Sequence, residues 1–181
     1  MSLLNSILEQ LINGLRTGSI YALIAIGYTM VYGIAKMINF AHGDIITVGA
    51  YSLYVYSSIL KLPVFVAILL TVLTCSVLGI VTEKIAYKPL RNAPSLAVLI
   101  TAIGMSFLLQ NIALLVFKAT PIPFASIVNV PGIHLGDLYI SGTTLVTLGV
   151  TTVSMIALTL FVNKTKAGRA MRAVSEDRGA A

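Results

Sequence analysis

Five long apolar stretches run through this chain, at about residues 11–34, 45–60, 63–85, 95–117 and 143–162. A helix needs roughly 20 apolar residues to cross a bilayer, and inside lipid it satisfies its own backbone hydrogen bonds. Four of the stretches reach that length. The second is short, and reads either as a tilted helix extended through Asp44 or as a broken helix starting in the polar run before it. Soluble domains carry about 25% charged residues; this chain has 10%, with 57% hydrophobic residues. The expected fold class is therefore all-α, a polytopic transmembrane helical bundle of about five spans.

The net charge of +6 points to nucleic acid only if it gathers on a soluble face, and it does not. From Lys164 onward five basic residues stand against two acidic ones, and Lys84, Lys88 and Arg91 stand against Glu83. Both basic segments lie between or after apolar stretches, as inner-side segments do under the positive-inside rule. The proline-rich segment 118–141 then falls outside. The N-terminus is also outside if the second stretch crosses fully, and inside if it is re-entrant; full crossing is the expectation. No Lys or Arg precedes the first stretch and Glu9 lies near it, so this start does not read as a cleaved signal peptide.

Within the first stretch, Gly14, Gly18 and Ala22 recur every fourth residue, which bares one helix face for close approach by another helix. Pro63 suits a helix first turn, and two prolines in the basic connector 87–94 argue against helix there. Gln110 and Asn111 are the carboxamides embedded in a long span, where interhelical hydrogen bonding is the expected role. Alternation in residues 133–135 and 138–140 predicts a small hairpin around Gly136-Asp137. Threonines in the fifth stretch are expected to bond back to their own helix. The single cysteine, Cys75, reads as a small hydrophobe at a helix contact, and no metal-ligand spacing exists.

The polar run Asn39-Phe40-Ala41-His42-Gly43-Asp44 lies between the first two stretches, with Lys36 just before it. An ionisable group at bilayer depth costs about 2.5–3.5 kcal/mol on insertion scales, so it rarely persists without a use. Three readings compete. The run is an ordinary turn in which Asp44 caps the next helix; or a proton or ion relay through His42 and Asp44; or a helix break that offers a helix N-terminus to a polar substrate. The tail from Gly168 reads as a basic amphipathic helix, with Arg169, Arg172 and Glu176 on one side and Met171 and Val174 on another. It suits anionic headgroups or a docking partner. The chain stops at Ala181 inside this pattern without a C-cap, which reads as an interruption. No G-x-x-x-x-G-K-[ST] loop or nucleophile motif is present, so no ATPase or other enzyme activity is expected of the chain itself.

Several stretches together carry a resemblance. They are Asn13-Gly14-Leu15 with Gly18-Ser19-Ile20-Tyr21-Ala22-Leu23, Gly27-Tyr28-Thr29-Met30-Val31-Tyr32-Gly33, and Met37-Ile38-Asn39-Phe40-Ala41-His42-Gly43-Asp44. To these add Tyr87-Lys88-Pro89-Leu90-Arg91, Thr101-Ala102-Ile103-Gly104 through Gln110-Asn111, and Gly168-Arg169-Ala170-Met171-Arg172-Ala173-Val174-Ser175. The chain resembles the permease of the binding-protein-dependent, high-affinity branched-chain amino acid ABC transporter, whose close relatives include urea and short-amide permeases.

The resemblance implies an importer subunit of the bacterial cytoplasmic membrane. It implies a second homologous permease subunit, two ATP-binding subunits that hold the ATP, and an extracytoplasmic amino-acid-binding protein as partners. The permease itself would need no cofactor. Residues 1–163 would form the transmembrane permease domain and 164–181 the coupling segment, with Gly168, Arg169, Arg172 and Glu176 facing the ATPase. Asn39, His42, Gly43 and Asp44 would lie by the substrate route, which raises the helix-break reading above the turn. Permeases of this family continue with further spans, so the expectation is the front part of one, unable to transport alone.

Overall fold

The computed structural model describes residues 3–35, 38–90, 93–124, 130–135 and 138–176. Six α-helices and one two-stranded hairpin account for most of them. Three helical segments, Val64–Leu90, Ser95–Phe117 and Gly142–Lys164, are long and apolar enough to cross a membrane by length and composition. The chain divides into two compact units, 37–125 and the pair of segments 1–36 and 126–181.

The first unit holds three helices. Helix α2 (His42–Tyr54) runs directly into a π-helical turn, Val55–Ile59. Together they rise about 27 Å, a little short of the hydrocarbon core. Helix α3 (Val64–Thr82) continues through a second π turn, Glu83–Tyr87, and a 3₁₀ turn, Lys88–Leu90. This corrects the expectation of a non-helical connector from residue 87. The Lys88 N–H donates to the Glu83 carbonyl five residues back, and Pro89 has no N–H to give, so helical pitch changes at the proline without the helix stopping. Helix α4 (Ser95–Phe117) follows, led by Pro94.

Small residues take many of the buried positions of this unit, among them Ala41, Gly49, Ala67, Ala86 and Ala102. Between membrane helices there is no hydrophobic driving force, so close backbone approach supplies the packing energy. Gly49 shows the mechanism, since a Cβ there would sit 3.1 Å from the Cys75 Sγ on α3. Cys75 is thus at a helix contact, as expected. Tyr87, Val98 and Ala86 join Ala102 in a small core where the end of α3 meets the start of α4. Large apolar side chains such as Phe65, Ile85 and Leu115 face outward, Leu115 being 83% exposed, which fits lipid as the surrounding solvent.

In the second unit α1 (Leu3–Ala35) lies beside α5 (Gly142–Lys164), and α6 (Lys166–Glu176) contacts both. The expected hairpin forms: β1 (Ile133–Leu135) pairs antiparallel with β2 (Leu138–Ile140), in the register Ile133↔Ile140 and Leu135↔Leu138. Its turn residues Gly136 and Asp137 lie outside the described residues, as do Lys36, Arg91, Arg178 and Ala181. Helix α5 starts on a local cap, the Ser141 Oγ accepting from the Thr144 N–H at 3.2 Å. Thr147 and Thr159 bond back to the carbonyls of Thr143 and Met155, both at 2.8 Å, as threonines inside a span were expected to.

Candidate functional site

The polar run builds the start of α2. Asn39 is its organising residue: its Oδ1 accepts from the Ala41 N–H at 3.0 Å, and its carbonyl accepts from the His42 N–H at 3.2 Å. This side-chain turn sets the backbone for the helix beginning at His42. The Tyr87 hydroxyl, from the π turn that ends α3, donates to the same Oδ1 at 2.8 Å. Tyr87 is buried, so the start of α2 is pinned to the end of α3 by a protected bond.

Asp44 does not cap the helix, which corrects the turn reading. Ala41 stands at the N-cap and makes no side-chain bond to the helix, while Asp44 lies inside the first turn with its carboxylate directed to α4. The Ser106 hydroxyl donates to Asp44 Oδ2 at 2.5 Å, and the Gln110 Nε2 donates to Asp44 Oδ1 at 3.1 Å. Gln110 also donates to the Ser106 Oγ at 3.0 Å, closing a three-residue network. Sequence separation from Asp44 is 62 to Ser106 and 66 to Gln110. A first-turn carboxylate is stabilised by the helix dipole in any case, but its hydrogen-bonding capacity is used across the helix interface.

Ser106 lies midway along the 23-residue α4, about 16 Å from either end at 1.5 Å per residue. A bilayer centred on α4 therefore puts Asp44 near its mid-plane. At the Phe117 end of the same interface, Tyr51 of α2 stacks on Phe117 with centroids 4.1 Å apart. Helices α2 and α4 thus run in the same direction, and α2 begins at the middle of its neighbour. Asp44 is held only by a neutral hydroxyl and a neutral amide, and no cation pairs with it among the described residues.

The remaining site residues are placed as follows. His42 is half-buried in the first turn of α2, and Gly43 is exposed beside it with open space where a Cβ would be. Gln110 bridges helices as expected, whereas Asn111 does not: its Nδ2 donates to the Phe107 carbonyl of its own helix at 2.7 Å. Neither Ser106, which joins the Asp44 network, nor Tyr87, which bonds Asn39, stood out as a candidate from sequence. Ser106 and Gln110 are four apart, hence stacked on one face of an otherwise apolar helix, and that spacing is the signal that identifies them. Gly14 and Gly18 likewise face open space, and Ala22 is half-buried.

The tail forms an elbow. Thr165 accepts from the Gly168 N–H at 3.0 Å and donates to the Phe161 carbonyl at 2.6 Å, which turns the chain from α5 into α6. Gly168 is buried, and a Cβ on it would run into the Phe161 and Val162 carbonyls, so only glycine fits this turn. Gly168, Met171, Val174 and Ser175 are the more buried residues of α6, and Arg169, Arg172 and Glu176 are exposed. Among the described residues no group of three or more His, Cys, Asp or Glu side chains could hold a metal.

Comparison with known proteins agrees with this architecture. Residues 10–181 match the family model described as branched-chain amino acid transport system / permease component. The chain is 40% identical over 182 residues to the high-affinity branched-chain amino acid transport system permease protein BraD of Pseudomonas aeruginosa. It has the same identity to the permease protein LivH of Escherichia coli K12, and 39% over 183 residues to LivH of Salmonella typhimurium. Each alignment covers 94% of this chain and 59% of the relative, so the chain spans about three-fifths of the length of the curated relatives it matches. No solved structure matches it.

Proposed function

The chain belongs to the family of permease components of branched-chain amino acid transport systems, and on that premise we propose that it forms part of the path by which an ABC importer moves leucine, isoleucine or valine inward. The observation that carries this reading is Asp44, held beside the middle of α4 with no cation partner among the described residues. A carboxylate at membrane depth calls for a positive partner, and the ammonium of a zwitterionic substrate supplies one as it passes. The first turn of α2 offers N–H donors to the other end of the zwitterion. Asn39, His42 and Gly43 shape this opening, with Asn39 and Tyr87 fixing its backbone.

The rest of the assembly follows the family. ATP is bound and hydrolysed by two partner subunits, and α6 presents Arg169, Arg172 and Glu176 to them across the Gly168 elbow. Movement of α6 is passed to α5 through that short, tightly capped turn. A second permease subunit packs on the Gly14, Gly18 and Ala22 face of α1, whose open space accepts a helix at close range. A soluble amino-acid-binding protein delivers substrate from the extracytoplasmic side. By the positive-inside rule the Lys88–Arg91 and Lys164–Arg178 segments lie in the cytoplasm, so α2 and α4 run outward and the N-terminus is outside.

The test is uptake by a complete transporter, with the full-length permease carrying this chain, its partner permease, the ATPases and the binding protein, in proteoliposomes. Labelled leucine should accumulate only when ATP and binding protein are both present. Accumulation without ATP would replace this reading with an ion-coupled carrier, and ATP-driven urea uptake without leucine uptake would move the chain to the amide branch of its relatives.

A further inference from the structure

Directly outward of the Asp44 network, α2 and α4 flank an open apolar cleft of about 210 Å³. Its walls include Val48 and Tyr51 of α2, Val55 of the π turn that follows, and Leu109, Ile112 and Ala113 of α4. Val48 is one helical turn on from Asp44 and Ala113 one turn on from Gln110, so cleft and carboxylate share a single seam. Tyr51, stacked on Phe117, closes its outer part. We propose that this cleft is a transient subsite for the aliphatic side chain of the amino acid whose ammonium is held at Asp44. The inference rests on the importer reading above and adds the residues that choose the substrate class.

The argument is one of matched halves. A branched-chain amino acid is a charged head one bond away from a short, branched hydrocarbon. The seam offers a carboxylate with no cation partner among the described residues and, within one helical turn, a cleft lined chiefly by aliphatic side chains. Drug-sized pockets start at about 300 Å³, so this smaller cleft suits a compact aliphatic group. Urea and short amides bring neither a cation for Asp44 nor hydrocarbon for the cleft. A metal or proton would satisfy the carboxylate but leave the cleft unexplained. Aliphatic side chains give weak, non-directional contacts, which lets a substrate pause in the seam without being trapped there.

The test uses the complete transporter in proteoliposomes with Cys75→Ser and Ala113→Cys, labelled by N-ethylmaleimide. Leucine at a few-fold above half-saturation should slow labelling at least about threefold by occupancy, while urea at the same concentration leaves it unchanged. Adding Asp44→Asn should abolish the protection. As a second measurement, Ala113→Phe fills the cleft and should lower leucine uptake at least about tenfold more than alanine uptake, the scale on which pockets discriminate a few methylenes. Equal labelling with and without leucine, in a transporter that does import leucine, overturns the subsite and leaves the importer reading intact. If residue 113 fails to react in any condition, the leucine-to-alanine ratio of Ala113→Phe decides, and an unchanged ratio overturns the proposal. A transporter that imports urea and not leucine overturns both.

Discussion

Helices α5 and α2 each carry a polar residue in or just before the first turn, and they use it differently. Helix α5 opens on Ser141, whose hydroxyl accepts from Thr144 three residues on, so the bond never leaves the helix. Helix α2 has Asp44 in its first turn and Ala41 at its cap, and the carboxylate is committed to Ser106 and Gln110 on another helix. The first arrangement stabilises a helix end and nothing more. The second has no side-chain bond from its N-cap residue and sets a charge near the middle of a span, where it costs about 2.5–3.5 kcal/mol on insertion scales. A polar group that forgoes a local bond for a distant one marks the place where something other than stability is served.

The sharpest way to break that contrast is to strip the donors from Asp44. Ser106→Ala with Gln110→Leu leaves the carboxylate without its two partners, and the chain should lose about 1–3 kcal/mol for each donor removed. Thermal unfolding in detergent or lipid measures this. Adding Asp44→Leu to the pair should recover most of the loss, because removing both sides of a polar contact costs less than orphaning one. If the double variant is as stable as the parent, the network does not hold α2 to α4.

At the other helix, Ser141→Ala should cost about 1 kcal/mol, the usual value of an N-cap. Uptake per assembled transporter should stay at the parental level. A transport defect at normal assembly would mean that the α5 cap also serves the substrate path. The smallest effect concerns Lys61, which closes the π turn of α2 at φ 52°, a left-handed backbone that side chains adopt at some cost. Lys61→Gly should leave stability unchanged or raise it by up to about 1 kcal/mol, seen as a small upward shift in unfolding temperature. A clear loss would show that the lysine side chain makes a contact that outweighs its backbone strain.

Much of the fold was legible because the bilayer imposes it. Hydropathy marked where α3, α4 and α5 lie, and Ser95–Phe117 agrees with the expected span end for end. The hairpin followed from alternation, and Gln110 from the oddity of a carboxamide in an apolar span. The site was legible as a segment but not as an arrangement. Asp44 read as a cap because its near neighbours allow one, and nothing local reveals a partner 62 residues away. Ser106 was passed over because a serine in a helix ordinarily bonds to its own backbone. Tyr87 lies in the π turn that ends α3, and its hydroxyl reaches a residue 48 positions earlier that no local pattern links to it. Asn111 erred the other way, since a carboxamide can also be satisfied by its own helix.

The central claim is that the charge of Asp44 serves the substrate and not the helix that carries it. Asp44→Asn isolates this, since an amide retains an acceptor for the Ser106 hydroxyl while removing the charge. Leucine uptake by the complete transporter, normalised to the amount assembled, should fall at least about tenfold, the scale of one lost charge-assisted hydrogen bond. Unchanged uptake in an assembled Asp44→Asn transporter would contradict the claim and return the start of α2 to a structural turn.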